Sequence, residues 1–318
     1  MNLYKLKAAA KINLYLEILG HRPDGFHELI MVMQSLDLAD VITVQGHVGS
    51  GIYLHCDHPQ VPKDHTNLAY RAAALMIQTF PQAAAHHGGI DITIQKQIPI
   101  GAGLAGGSAD AAATLVGVDL LWQLGLAQQE LQELGAQLGS DIPFCISGGT
   151  ALATGRGEQL DNLGLTHLYA VLGKYNSLSV STPWAYKTYR DHFGDTYLDL
   201  ATTGAERREA IHSGPILGAI AHQDGPTIGQ LLHNDLEKVV LPAHPQVADL
   251  KTTMAGVGGL GTLMSGSGPT VFTLTSTRAE AEAIAQQVQE KIADPDLGIW
   301  VTELLPTGIQ LESTGIQN

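Results

Sequence analysis

The architecture of the chain can be worked out from one segment, PIGAGLAGGSADAAATL, at residues 99–115. Glycine stands at positions 101, 103, 106 and 107, and an alanine-rich run follows. Glycine is costly to order, so such a cluster indicates either a flexible linker or a loop with a required shape. The segment lies between a predicted strand at 90–95 and a predicted helix at 109–124, which favours the shaped loop.

A glycine-rich turn from a strand into a helix is suited to binding phosphate. Missing Cβ atoms allow close approach, and free N–H groups and the helix dipole favour negative charge. We therefore predict a phosphate on residues 101–108, where the Ser108 hydroxyl could meet a phosphate or a metal ion. The alternative interpretation is a tight structural turn that only packs the helix.

Two common nucleotide motifs fit this loop poorly. No lysine follows the glycines, so the Walker pattern is absent. A dinucleotide fingerprint can be placed on residues 101–106, but its expected acidic residue has only Glu130 as a distant candidate. A nicotinamide oxidoreductase is therefore the weaker alternative.

Composition limits the classes of partner. The net charge is −14 and no basic cluster is present, which argues against a nucleic-acid partner. No apolar run approaches the ~20 residues that span a membrane. Only Cys56 and Cys145 are present, which is typical of a reducing compartment. The 318 residues suffice for two domains, and we predict an α+β protein divided into residues 1–160 and 161–318.

Local patterns predict several elements that bear on a site. Residues 12–18 alternate as a strand, so Lys11 and Asn13 should point to the same, polar side. Thr182 followed by Pro183 predicts a helix start with threonine as the N-cap. Thr277 and Glu280 predict a capping box at the start of another helix.

Three motifs, in order along the chain, resemble those of the GHMP kinases. They are Lys11-Ile12-Asn13-Leu14, Pro99-x-x-x-Gly103-Leu104-Ala105-Gly106-Gly107-Ser108-Ala109, and Ser265-Gly266-Ser267-Gly268-Pro269-Thr270. The resemblance spans residues 11–270 and implies a two-domain α+β fold. Its N-terminal domain would hold the nucleotide phosphates, its C-terminal domain would be an α/β sandwich, and the active site would lie in the cleft between them.

The resemblance also implies ATP and Mg²⁺ as cofactors. The ATP-binding residues would be Pro99, Ile100, Gly101, Ala102, Gly103, Leu104, Ala105, Gly106, Gly107, Ser108 and Ala109. Asn67 matches a position tied to adenine binding, although a helix N-cap is an equally good local interpretation. The loop of Ser265, Gly266, Ser267 and Gly268 would support the phosphate site, and Ser108 is the best hydroxyl for the metal.

The catalytic residues implied by the resemblance are Asp141 and Lys11. A carboxylate can orient an alcohol and accept its proton, and a nearby lysine would favour the charged carboxylate and neutralise the transferring phosphoryl group. Asn13 would position the substrate hydroxyls or Asp141. The alternatives are a helix N-cap for Asp141 and a solvated strand lysine for Lys11.

One subfamily of these kinases is resembled most closely. The segments at 10–40, LGSDIPF at 138–144 and ATGRGE at 153–158 resemble kinases that phosphorylate the 2-hydroxyl of a CDP-linked methylerythritol, in the non-mevalonate route to isoprenoids. Phe26, His27 and Tyr186 would then bind the cytidine. The subfamily often has tyrosine where Phe26 stands, and stacking needs only the ring face. A core aromatic and a surface histidine are the alternatives for Phe26 and His27.

Two other functions remain as alternatives. The first is a GHMP kinase for another small alcohol, such as homoserine or mevalonate, and the second is a non-catalytic relative that senses nucleotide or sugar. Because Lys11 lies so near the start, we expect no plastid transit peptide and a bacterial cytoplasmic location. The sequence leaves a monomer and a homodimer equally open.

Overall fold

The structure, a computed structural model, describes residues 2–164 and 167–316. The strands are β1 (Asn2–His21), β2 (His27–His47), β3 (Ile52–Cys56), β4 (Gly89–Gln95), β5 (Thr150–Gly155), β6 (Gln159–Gly164), β7 (Tyr169–Tyr175), β8 (His233–Asn234), β9 (Gly261–Met264), β10 (Val271–Thr275), β11 (Leu297–Leu305) and β12 (Ile309–Ile316). The helices are α1 (Leu68–Thr79), α2 (Pro81–His87), α3 (Gly106–Trp122), α4 (Gln128–Ala136), α5 (Ile142–Ser147), α6 (Thr182–Phe193), α7 (Thr203–His212), α8 (Pro215–Ala221), α9 (Gly225–Gln230), α10 (Glu237–Ala243), α11 (Pro245–Ala255) and α12 (Arg278–Ile292). The predicted α+β class is confirmed.

Two long antiparallel strands, β1 and β2, form the centre of the first half. β12 pairs with the other edge of β1, while β5 and β4 pair with opposite ends of β2. Helix α3 packs on β1 and β2. A Cβ at Gly117 would lie 2.6 Å from the Cγ2 of Val44, so this glycine permits the close approach of helix and strand.

The second half contains a four-stranded antiparallel sheet in the order β9-β10-β7-β11. Helices α11 and α12 pack against it. The capping box of α12 is confirmed, because the Glu280 amide donates to the Thr277 hydroxyl and Glu280 accepts from the Thr277 amide, both at 3.2 Å.

The two halves share backbone pairing. β11 pairs with the middle of β2, and β12 then crosses back to β1. β6 pairs with β5 and ends at Gly164. The division of the chain near residue 160 stays a prediction. No helix in residues 2–164 and 167–316 is long and apolar enough to cross a bilayer.

Two local predictions differ from the structure. The helix expected at 109–124 begins three residues earlier, so Gly106 and Gly107 form its first turn. The N-cap predicted at Thr182 is wrong by one residue, because the Ser181 side chain accepts from the Trp184 amide. The Thr182 hydroxyl instead lies 2.8 Å from the Ser267 hydroxyl, which joins α6 to the loop before β10.

Candidate active site

A cavity of about 800 Å³ brings most of the predicted site residues together. Those that line it are Lys11, Asn13, Phe26, His27, Asn67, Pro99, Ile100, Gly101, Ala102, Gly103, Leu104, Ala105, Gly106, Gly107, Ser108, Asp141, Tyr186, Gly266 and Ser267. The other predicted residues, Ala109, Ser265 and Gly268, do not line the cavity. Ala109 is buried within α3, and Ser265 is fully buried.

Lys11 and Asn13 lie on one side of β1, as predicted, but this side is buried. The Lys11 ammonium donates to Asn13 Oδ1 at 2.7 Å and lies 3.8 Å from Asp141 Oδ2. The pairing of β1 with β2 shifts register between Ala9 and Lys11 and again after Asn13. Such irregularities bend a strand and redirect its side chains, and here they flank the two polar residues.

Asp141 precedes α5 and occupies its N-cap position without capping it. Among the described residues its side chain makes no capping hydrogen bond, and one third of it is exposed. Asp141 therefore stands at the N-cap position, but its side chain does not cap the helix. The carboxylate is left to interact with Lys11 and with whatever enters the cavity.

The loop before α3 has the geometry of an anion site. Ala105 has a φ of 58°, a left-handed conformation that turns the chain into the helix. The amides of the first helical turn, from Gly106 to Ser108, have no carbonyl one turn earlier within the helix. They can therefore donate to a ligand, and the helix dipole adds attraction for negative charge.

The third motif supports this loop directly. The Ser265 hydroxyl donates to the Gly103 carbonyl at 3.1 Å. A Cβ at Gly103 would lie 2.5 Å from the Ser265 carbonyl oxygen, so a larger residue would force the loops apart. The Lys11 amide donates to the Leu104 carbonyl at 3.1 Å, which attaches β1 to the same loop.

Gly266 places the third motif against Lys11 and Asn13. Its φ is 55°, and an added Cβ would lie 3.3 Å from both Lys11 Nζ and Asn13 Oδ1. The buried Asn234 side chain donates to the Met264 and Gly266 carbonyls at 2.7 and 2.8 Å. Asn234 thus orders this loop, a role that its sequence context did not indicate.

The predicted cytidine residues all line the cavity, and two of them, His27 and Tyr186, are in contact. Phe26 is 50% exposed, and the Arg156 guanidinium lies 4.8 Å from its ring centroid. The Phe26 side chain is therefore not a core aromatic. His27 stacks on Tyr186 with ring centroids 5.1 Å apart, and its Nε2 lies 3.0 Å from the Tyr197 hydroxyl.

Burial controls the charge of these rings. Burial, with smaller electrostatic contributions in the same direction from the neighbouring His21 and Arg190, lowers the pKa of His27 to about 4. His27 is thus neutral at pH 7 and is not a surface histidine. Burial also raises the pKa of Tyr186, and the nearby Asp141 carboxylate adds to the effect.

Asn67 combines a local role with a place in the cavity wall. Its side-chain oxygen accepts from the Ala69 amide at 2.8 Å, and its Nδ2 donates to the Pro62 carbonyl at 2.8 Å. The N-cap interpretation is confirmed. Its role in adenine binding stays a prediction.

The cavity wall also holds charged residues that sequence reasoning missed. Lys96 donates to Asp40 and, at 2.9 Å, to Asp110 Oδ2. Burial raises the pKa of Asp110 well above its usual range, and its Oδ1 has no hydrogen-bond partner among the described residues. Lys187 and Arg190 reach the cavity from α6. The pairing of Lys96 with Asp40 and Asp110 joins distant segments and left no local pattern to find.

Comparisons with known proteins place this geometry in a family. The GHMP kinases N terminal domain matches residues 67–149, and the GHMP kinases C terminal domain matches residues 216–294. The chain is 60% identical to the 4-diphosphocytidyl-2-C-methyl-D-erythritol kinase of Gloeothece citriformis, over 99% of this chain and 100% of that protein. It is 57% identical to the kinase of the same name from Synechocystis sp., over 98% and 99% of the two chains.

Solved structures agree. A crystal structure of 4-(cytidine 5'-diphospho)-2C-methyl-D-erythritol kinase superposes with a TM-score of 0.72 at 33% identity, covering 94% of this chain and 98% of that one. Homoserine kinase from Cytophaga hutchinsonii superposes with a TM-score of 0.75 at 19% identity, covering 97% of each chain, which shows the shared fold alone. The resemblance of the three sequence motifs is thereby confirmed, and the chain belongs to the GHMP kinases, within the group of 4-diphosphocytidyl-2-C-methyl-D-erythritol kinases.

Proposed function

We propose that this kinase transfers the γ-phosphoryl group of ATP to the 2-hydroxyl of 4-diphosphocytidyl-2-C-methyl-D-erythritol, in isoprenoid precursor biosynthesis. One observation carries the proposal: a single cavity joins the Lys11–Asp141 pair, the amide-rich start of α3 and the aromatic group of Phe26, His27 and Tyr186. These three features match an alcohol, a phosphate chain and a cytosine. The similarity to kinases of that name supports the same substrate.

Asp141 and Lys11 perform the chemistry at the alcohol. The substrate oxygen forms a bond to the γ-phosphorus, the bond from that phosphorus to the β–γ bridging oxygen breaks, and the hydroxyl proton passes to Asp141. Lys11 stabilises the negative charge on the transferring group, while its hydrogen bond to Asn13 fixes the ammonium in place. Catalysis then consists mainly of positioning and charge stabilisation.

The amides at the start of α3 hold the ATP phosphates, supported by the third motif. Magnesium fits the same region, because Ser108 Oγ and the unpartnered Asp110 Oδ1 are the hard oxygen donors that this ion prefers. When bound, the ion neutralises charge on the phosphate oxygens. Asn67 borders the cavity where the adenine would lie.

The aromatic rings of Phe26 and Tyr186 and the neutral imidazole of His27 would recognise the cytosine. Phe26 and Tyr186 offer aromatic surfaces for stacking, which needs no tyrosine hydroxyl at position 26. His27 is uncharged near neutral pH, so its ring can exchange hydrogen bonds with the base without burying a charge.

A substrate panel tests this function. ATP-dependent phosphate transfer is measured on 4-diphosphocytidyl-2-C-methyl-D-erythritol, homoserine and mevalonate, with magnesium present. We expect turnover of the cytidine-linked alcohol alone. Turnover of homoserine or mevalonate alone would overturn the substrate but keep the kinase chemistry, and no turnover of any of the three would favour the sensor alternative.

We place this activity in the bacterial cytoplasm. The similar kinases come from bacteria, and both cysteines are free and buried, as is typical of a reducing compartment. Separating cytoplasm from periplasm and immunoblotting for the chain checks the location, and recovery in the periplasm would contradict it.

A further inference from the structure

One arginine in the cavity has a position that the proposed catalysis does not use. Arg156 stands at the tip of the turn between β5 and β6. The glycines on both sides have φ values of +72° and +107°, and a Cβ at Gly157 would lie 2.6 Å from the Met31 side chain. The Arg156 amide donates to Glu158 Oε2 at 2.7 Å. The turn therefore packs against Met31 and has a fixed backbone shape, which holds the Arg156 side chain at its tip.

The guanidinium of Arg156 has most of its donors available. Its Nε lies 3.9 Å from Glu158 Oε1, too far for a hydrogen bond, and within residues 2–164 and 167–316 its side chain donates to no other group. Its main contact is the face of Phe26, 4.8 Å from the ring centroid. An arginine carries five N–H donors. Because Arg156 lines the cavity, these donors are available to an anion that enters it.

The other cations of the cavity are already engaged. Lys11 donates to Asn13, and Lys96 donates to Asp110. Lys187 donates to Asp191 at 2.6 Å, and Arg190 lies 3.4 Å from the His21 ring. In a chain with a net charge of −14, a cation held in a cavity with no hydrogen-bond partner for its side chain among the described residues points to an anionic ligand.

We propose that Arg156 binds the diphosphate that joins cytidine to the methylerythritol in the substrate, and that Phe26 positions the guanidinium for this contact. The inference rests on the proposed function, because it assigns part of the same substrate. The guanidinium lies over one face of Phe26, so a base stacked on the opposite face would bring its attached diphosphate toward Arg156. The planar fork of arginine matches two phosphate oxygens at once, which a lysine cannot do.

The test compares ligands that differ only in phosphate. Dissociation constants of cytidine and CDP are measured by calorimetry for the wild type, Arg156→Gln and Arg156→Lys. Arg278→Gln is the matched control, since Arg278 is an exposed arginine on α12 that pairs with Glu282. A charge-assisted contact is worth about 1.5–3 kcal/mol, so Arg156→Gln should weaken CDP binding by roughly 10- to 150-fold.

Cytidine affinity should change by less than about threefold in Arg156→Gln, and Arg156→Lys should lie between the wild type and glutamine in CDP affinity. Unchanged CDP affinity in Arg156→Gln would overturn the inference while leaving the proposed function intact. An equal loss of cytidine and CDP affinity would also overturn it, because the arginine would then act only through the ring. A wild type that binds neither ligand would refute the cytidine end of the proposed function itself.

Discussion

Replacing Lys11 with methionine tests the charge at the reacting hydroxyl. Methionine has a similar length but no ammonium. At the observed 3.8 Å, the attraction between Lys11 and Asp141 is about 4 kcal/mol for an effective dielectric constant of 20. Asp141 is one-third exposed, so solvent screening reduces this toward about 2 kcal/mol.

In the proposed mechanism the phosphoryl group in transfer interacts with the same ammonium, and we take a similar energy for that interaction. Each 1.36 kcal/mol is tenfold in rate, so Lys11→Met should lower kcat by roughly 30- to 1,000-fold. The proposed cytidine contacts come from Phe26, His27 and Tyr186 and not from Lys11, so KM for the alcohol substrate should stay within about threefold. Asn13 Oδ1 loses its donor, which costs about 1–3 kcal/mol of stability, but removing a buried ammonium offsets part of this.

Steady-state kinetics with saturating ATP and magnesium measures the effect, and circular dichroism verifies the fold. Lys5→Met is the matched control, because Lys5 lies on the same strand and pairs with Glu312 at 2.9 Å on the surface. It should keep wild-type kcat. A folded Lys11→Met enzyme with kcat within threefold of the wild type would refute the reasoning.

Two further predictions concern stability. Gly103→Ala should lower the free energy of unfolding by about 2 kcal/mol or more, because its Cβ meets the Ser265 carbonyl at 2.5 Å and φ is +74°. Gly107→Ala, whose Cβ has no neighbour nearer than 3.8 Å, should not lower it, and equal denaturant stability of the two variants would contradict the loop contact. The folded pKa of His27, about 4, lies below its unfolded value of about 6.5. The folding stability that neutral His27 contributes is therefore present above pH 6.5 and is lost as pH falls toward 4. Between pH 7 and 5, the wild type should therefore lose about 2 kcal/mol more stability than His27→Gln, and parallel losses would count against a neutral buried histidine.

The local sequence pattern was sufficient to predict the turns and helix caps, which depend on backbone geometry. The glycine segment at 99–115 predicted a loop entering a helix, and the Thr277–Glu280 spacing predicted its capping box, because each depends on neighbours a few residues away. The start of α3 was placed three residues late, since glycines count against a helix by propensity. Here they occupy its first turn, where a Cβ at Gly106 would lie 3.1 Å from the Ile98 side chain, so close packing at that position outweighs helix propensity.

Contacts between distant segments could not be predicted in the same way. The Lys96–Asp40–Asp110 group joins three separate elements, and none of the three residues carries a local signal of the pairing. Thr182 was expected to cap a helix, but packing places its hydroxyl on Ser267. Burial of β1 likewise depends in part on elements far along the chain, among them α3 and β12.

The proposed mechanism rests on Asp141 as the group that accepts the proton of the 2-hydroxyl. The most direct test measures phosphate transfer from ATP to 4-diphosphocytidyl-2-C-methyl-D-erythritol by the wild type and by Asp141→Asn, with cytidine and ATP affinities measured on both. We predict turnover by the wild type and a loss of at least about 100-fold in kcat for the variant, with both affinities within threefold. A folded Asp141→Asn enzyme that transfers phosphate at the wild-type rate would contradict the account.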